Sequence, residues 1–141
     1  MNILFVIDTL GAGGKERQLI ALLKGLKKRD WLRADVIVLS DRIEYEQIWS
    51  LAHRVHIIRR RLRKDPFVFF KLMELVRDSR PDVIHSWELM SSIYALPAAK
   101  CFGIPFVNGV VRNAPANFNF FSVSGLLFYL TSLFSDVTLG N

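Results

Sequence analysis

Ile3 to Ile7 reads ILFVI, five apolar residues in a row with no polar residue between them. A strand with one wet face alternates. An unbroken run belongs to a strand covered on both faces, which implies a parallel sheet with helices above and below it. The period then changes. Leu19, Ile20, Leu22, Leu23 and Leu26 recur at helical spacing, with Lys24, Lys27 and Lys28 opposite them, so Lys15 to Arg29 is an amphipathic helix.

The alternation repeats along the chain. Strands are expected at Asp35 to Leu39, Val55 to Ile58, Asp82 to His85, Pro105 to Val111 and Val137 to Leu139. Between them fall helices at Glu44 to Ala52, at Pro66 to Ser79, opened by proline, at Ser91 to Phe102, closed by Gly103, and at Phe120 to Phe134. Strand and helix in strict turn give an α/β class, a doubly wound Rossmann-like parallel sheet. The 141 residues make one domain, and 51% hydrophobic against 23% charged is a globular balance rather than a disordered one. Ligands of such sheets lie beyond the C-terminal ends of the strands. That directs attention to Asp8 to Lys15, Ser40 to Glu44, Ser86 to Ser91 and Arg112 to Asn119.

Cys101 is the only cysteine, which excludes an internal disulfide and a multi-cysteine metal site and points to an intracellular compartment. The apolar start has no basic lead and is cut at Asp8, unlike a signal peptide or a membrane span. Net charge is +6. It suits nucleic acid, an anionic membrane surface or phosphorylated small molecules. Lys24, Lys27, Lys28 and Arg29 form one cluster, and Arg59, Arg60, Arg61, Arg63 and Lys64 another. Either is also what an ordinary solvated face looks like. No aromatic residues interleave with the arginine run, which argues against nucleic acid.

The stretch TLGAGGKERQ, Thr9 to Gln18, joins the first strand to the first helix. Gly11, Gly13 and Gly14 there read either as a tight turn or as bare main chain for an anion at a helix N-terminus. A dinucleotide fingerprint would need glycine at position 16, which is Glu16, and a Walker A loop would need Ser or Thr after Gly14 and Lys15. Lys15 opposes the helix dipole, which makes more sense beside a bound anion. His85, followed by Trp87 and Glu88, ends a strand on the ligand side, as a structural histidine or as a proton-transfer group. Arg112 and Asn113 close the next strand, where an arginine serves either as a planar anion donor or as plain surface. His53 and His56 lack carboxylate spacing, so no metal site is expected, and no nucleophile elbow is present.

Asn113 to Ser135 holds no charged residue. Phe120, Val123, Leu127, Leu130 and Phe134 form a stripe expected to face inward, with Ser122, Gly125, Phe128 and Ser132 on the other side, against a second domain or a lipid surface.

MNILFVIDTLGAGGKERQLIALLKGLKKR resembles the opening of the N-terminal domain of family 4 glycosyltransferases of the GT-B fold, with their GG-x-E turn. PDVIHSW, AAKCFGIPFVNGVVRNA and FSDVTLGN are similar to the later segments in the same order. The resemblance implies the N-terminal, acceptor-side half of a GT-B fold over residues 1–141. It implies transfer of a sugar from a nucleotide-sugar, a co-substrate rather than a cofactor, to a glycan or lipid-linked acceptor, usually with retention at the anomeric carbon. Gly13, Gly14 and Lys15 would meet the donor diphosphate. Glu16, His85, Trp87, Arg112 and Asn113 would border the acceptor, and no catalytic residue is assigned. Arg112 departs from the family, many of whose members carry histidine there. The C-terminal domain with its paired glutamates would follow Asn141, so these residues are expected to be a fragment, catalytically silent alone. A cytoplasmic position is expected, peripheral at the inner face of a membrane on the strength of the basic clusters and the charge-free stretch. The rival reading is a non-catalytic flavodoxin-like binding module. A response regulator is disfavoured, because only Asp8 lies where its acidic cluster should be.

Overall fold

A computed structural model describes residues 1–61, 65–110 and 122–140. Strands and helices alternate: β1 (Asn2–Ile7), α1 (Gly14–Leu26), β2 (Arg33–Val38), α2 (Ile48–Leu51), β3 (Arg54–Ile57), α3 (Pro66–Ser79), β4 (Val83–Ser86), α4 (Leu89–Cys101), β5 (Phe106–Val110), α5 (Val123–Leu133) and β6 (Val137–Gly140). The six strands make one sheet in the order β3-β2-β1-β4-β5-β6, every neighbouring pair parallel. The doubly wound Rossmann-like reading holds.

The unbroken run in β1 is explained by its position at the centre of the sheet. Leu4 and Val6 join one apolar cluster with Leu72 and Val76 of α3 and Ala95 and Ala98 of α4. Ile3, Phe5 and Ile7 point the other way, into a second cluster with Leu19, Ile20 and Leu23 of α1 and Ile48 of α2. Alternate residues of one strand therefore build two cores, and neither face is left for polar side chains.

Two helices differ from the sequence reading for local reasons. The expected helix over Glu44 to Ala52 is a single turn, because Ile43 pairs with Leu10 in an isolated bridge and the Glu44 N–H donates to the Leu10 carbonyl at 2.9 Å. That pairing holds the Ser40 to Glu44 loop extended beside the glycine turn. In α5 the buried positions are Gly125 and Thr131, whereas Val123, Leu130 and Phe134 are exposed. The inward stripe is thus on the side expected to face outward. Small residues let α5 approach α4, with which it is in contact. Phe120 lies outside the described residues.

Asp136 ties the far edge of the sheet together by accepting from the Phe106 N–H at 2.8 Å and from Lys100 Nζ at 2.9 Å. The Phe106 amide first, and then the lysine, hold its carboxyl below the usual carboxylate range.

Candidate functional site

Strand order reverses between β1 and β4: from β1 the chain winds outward through β2 and β3, and from β4 through β5 and β6. Crossovers leave this pair in opposite directions, which opens a crevice at their C-terminal ends. The N-termini of α1 and α4, which follow β1 and β4, flank that crevice. The start of α4 is closed by a capping box between Glu88 and Ser91, whereas the start of α1 has no side-chain cap among the described residues, so its N–H groups lend the mouth positive character.

The glycine turn forms one wall. Gly13 is the N-cap of α1 in extended conformation, and no side chain caps the helix there. The Gly13 N–H itself is taken by the Gly11 carbonyl at 2.8 Å. Gly13 and Gly14 differ in what surrounds them. A Cβ on Gly13 would overlap Glu16 Oε2, so any larger residue there has to displace that carboxylate. A Cβ on Gly14 would meet nothing within 4 Å, and the residue is exposed. Among the described residues no neighbour accounts for glycine at position 14.

Glu16 is folded inward beneath this turn, 4% exposed. One carboxylate oxygen accepts from Thr9 Oγ1 at 3.2 Å, and the other is buried without a hydrogen-bond partner among the described residues. Across the crevice stands Glu88, the N-cap of α4. Its Oε1 accepts from the Asp8 N–H at 2.7 Å, and its Oε2 is ion-paired with Lys15. A carboxylate of the protein therefore sits between the two helix N-termini, held by a main-chain amide and a lysine, the donors an outside anion would use. Arg60, from the segment after β3, is ion-paired with Asp8 at the end of β1.

The remaining wall is aromatic. The His85 ring stacks on Trp87 with centroids 5.3 Å apart and lies 5.5 Å from Phe5. Burial lowers the imidazole from 6.5 to about 4, so His85 is neutral at physiological pH, and the cations of the crevice, Lys15 and Arg60, are each ion-paired, with Glu88 and Asp8. Trp87 is buried, and its indole N–H has no hydrogen-bond partner among the described residues. Behind it, Ser92 Oγ donates to Asn108 Oδ1 at 2.7 Å and lies 2.7 Å from Ser86 Oγ, which fastens α4 to β4 and β5.

Among the residues named from sequence, Gly13, Gly14, Lys15, Glu16, His85 and Trp87 all belong to this one edge. Arg112 and Asn113 lie outside the described residues. Asp8, Arg60 and Glu88 were not singled out as site residues, because an ion pair across 52 or 73 positions has no sequence signal. Gly109 did have one, a glycine inside a strand, which usually marks close backbone approach. Among the described residues no three of His, Cys, Asp and Glu gather as metal ligands.

A doubly wound sheet with a glycine turn and two helix N-termini at its switch point is a nucleotide-binding architecture in general terms. Residues 12–110 match the model of glycosyltransferase family 4, and the chain belongs to that family. No curated protein matches the sequence. Solved structures similar in fold include HepE of Anabaena in complex with UDP, with TM-score 0.72 and 18% identity, covering 98% of this chain and 37% of that one. MurG of Acinetobacter baumannii gives a TM-score of 0.70 and 16% identity over 99% of this chain and 40% of its own. The UDP-GlcNAc 2-epimerase of Neisseria meningitidis bound to UDP-GlcNAc gives 0.71 and 15% over 99% and 40%. The chain thus spans about two fifths of the length of these proteins.

Proposed function

We propose that this chain is the acceptor-side wall of a retaining glycosyltransferase that moves a sugar from a nucleoside-diphosphate sugar to a glycan or lipid-linked acceptor. Gly14 carries the reading. A glycine in a helix costs about 0.5–1 kcal/mol against alanine. Nothing among the described residues requires this one, and it is exposed at a helix start without a side-chain cap, beside a lysine. A diphosphate drawn against the main chain supplies the missing reason. UDP, which HepE carries in its structure, is the natural probe.

In this reading the amides at the start of α1 face the diphosphate, and Lys15 leaves Glu88 to neutralise it. Glu16 supports the turn from beneath. Neutral His85 and the Trp87 ring line the acceptor side, His85 offering one donor and one acceptor nitrogen to sugar hydroxyls. Arg112 and Asn113 belong to the same side. The second wall of the cleft is a C-terminal domain, and without it the transition state lacks half its charge stabilisation, so these residues alone transfer no sugar. Work at the cytoplasmic face of an anionic membrane is part of the proposal. Among the described residues no helix is long and apolar enough to cross a membrane.

Amide-resolved NMR with UDP tests it. Gly14, Lys15 and Glu16 amides are expected to shift together with the Trp87 indole. Shifts confined to another edge, or turnover of a UDP-sugar by the chain alone, would contradict it.

A further inference from the structure

The loop after β2, Ser40 to Glu44, is fastened to the glycine turn by main chain on both sides of one arginine. The Leu10 N–H donates to the Arg42 carbonyl at 3.1 Å, and the Glu44 N–H donates to the Leu10 carbonyl at 2.9 Å. Ile43, between them, bridges Leu10 in parallel, and Leu10 is fully buried. Ser40 Oγ accepts from the Arg42 N–H at 3.1 Å, so both polar groups of the Arg42 main chain are engaged. The side chain is the part left to move.

That side chain lies over the turn itself. A Cβ on Gly11 would come 3.3 Å from Arg42 Nε, 3.5 Å from Cζ and 3.7 Å from Cδ, its three nearest neighbours. Gly11 is buried, while the Arg42 side chain above it is 68% exposed. The absent methyl lets the planar group rest on main chain. What holds it there is poorly matched. Arg42 Nε donates to Glu44 Oε1 at 2.7 Å, and Nη2 lies 2.6 Å from the same oxygen. Two donors share one acceptor, whereas a guanidinium fork suits two oxygens. An exposed pair of this kind contributes little and exchanges readily. Lys15 and Arg60 differ, because their side chains are 26% and 18% exposed and each is closed in a half-buried pair. Of the three cations around the turn, Arg42 is the one whose carboxylate is most easily released.

We infer that Arg42 is a ligand-binding residue of the glycine turn: its guanidinium leaves Glu44 to take one phosphate of a nucleoside diphosphate whose other phosphate rests on the amides at the start of α1. Gly11 and Gly14 are three residues apart, at most about 10 Å along the chain. The bond from the Gly13 N–H to the Gly11 carbonyl, at 2.8 Å, draws them closer. Two anion points at this spacing suit two linked phosphates, and a monophosphate reaches only one of them. Arg42 therefore sets the preference for diphosphate over monophosphate, and Glu44 is the internal anion that the second phosphate displaces. The fork meets two oxygens of a phosphate where Glu44 supplies one. This assignment rests on the nucleotide-sugar reading of the same edge and names the residue that recognises the second phosphate.

Calorimetric titration of UDP and of UMP into the parent, Arg42→Gln, Arg42→Lys and Glu44→Gln proteins tests it, with amide NMR on the UDP complexes. Arg42→Gln is expected to weaken UDP about 10-fold and UMP less than about 2-fold. Arg42→Lys is expected to stay about 3-fold weaker than the parent for UDP, since an ammonium keeps the charge without the fork. Glu44→Gln, which keeps the shape and removes the competing charge, is expected to strengthen UDP about 2-fold. Melting temperatures should not move, because both side chains are exposed. Gly11→Ala checks the geometry: its methyl crowds Nε, so it is expected to weaken UDP about 3-fold in the parent and to have no further effect in Arg42→Gln. An unchanged ratio of UDP to UMP affinity in Arg42→Gln, with UDP still shifting the Gly14 amide, overturns this inference alone. UDP that leaves the Gly14 amide of the parent unmoved overturns the glycosyltransferase reading and this inference with it.

Discussion

The side chain of Glu16 fills the space where Gly13 would carry a Cβ: a methyl group there overlaps Oε2 and lies 3.0 Å from Cδ. The backbone of Gly13 is extended, with φ −119, so the constraint is steric and not conformational. Gly13→Ala is therefore expected to expel the carboxylate and cost about 1–2 kcal/mol. In a Glu16→Ala background the same substitution should cost under about 0.5 kcal/mol, because the obstacle is gone. Denaturant unfolding of the four proteins in this cycle measures the coupling, and equal costs in both backgrounds would show the contact to be irrelevant.

Gly109 faces a harder obstacle. A Cβ there comes 2.6 Å from the Ser86 carbonyl oxygen and 3.4 Å from the Trp87 Cα. Both are backbone atoms of the β4 end, with no side chain to swing aside. Gly109→Ala is expected to cost about 2–3 kcal/mol, more than Gly13→Ala, and to alter Trp87 fluorescence. A thermal melt within error of the parent would refute this close packing.

Glu88 competes for Lys15. Glu88→Gln keeps the shape and the acceptor for the Asp8 amide while removing the charge that holds the lysine. UDP affinity is expected to rise about 2–5-fold, and Lys15→Ala to lower it about 10-fold. Calorimetric titration decides this. An affinity indifferent to both substitutions would remove Lys15 from the binding account.

His85 makes stability depend on acidity in a defined window. Its folded value of about 4 lies below the ordinary 6.5, so the unfolded chain binds more protons between those values. Stability is complete above 6.5, falls as pH drops toward 4, and is flat for this group below that. The loss amounts to roughly 3 kcal/mol. His85→Gln is expected to flatten the curve in this window, and an unchanged slope would assign it to other groups.

Much of this was legible in the sequence for a physical reason: β1 and the helix spacing of α1 report burial locally, residue by residue. The glycine turn was legible as a turn, and the chemistry of Gly14 as distinct from Gly13 was not, because the difference lies in where the Glu16 side chain folds. Long-range pairs such as Arg60 with Asp8 leave no periodic trace. The α5 face was misjudged because its helix is apolar nearly all round, and small Gly125 and Thr131 decide the contact by size. The extended Ile43–Glu44 segment is imposed by Leu10, thirty-odd residues earlier.

Position 14 separates backbone cost from nucleotide contact. Gly14→Ala adds a methyl into open space, so it should raise stability by about 0.5 kcal/mol while weakening UDP binding about 10-fold. Gly25→Ala, equally unhindered in the same helix, should stabilise similarly and leave UDP binding alone. The decisive measurement is calorimetric titration of UDP into the parent, Gly14→Ala and Gly25→Ala proteins. Selective loss in Gly14→Ala is the predicted result, and equal affinity in all three would contradict a diphosphate seated on this turn.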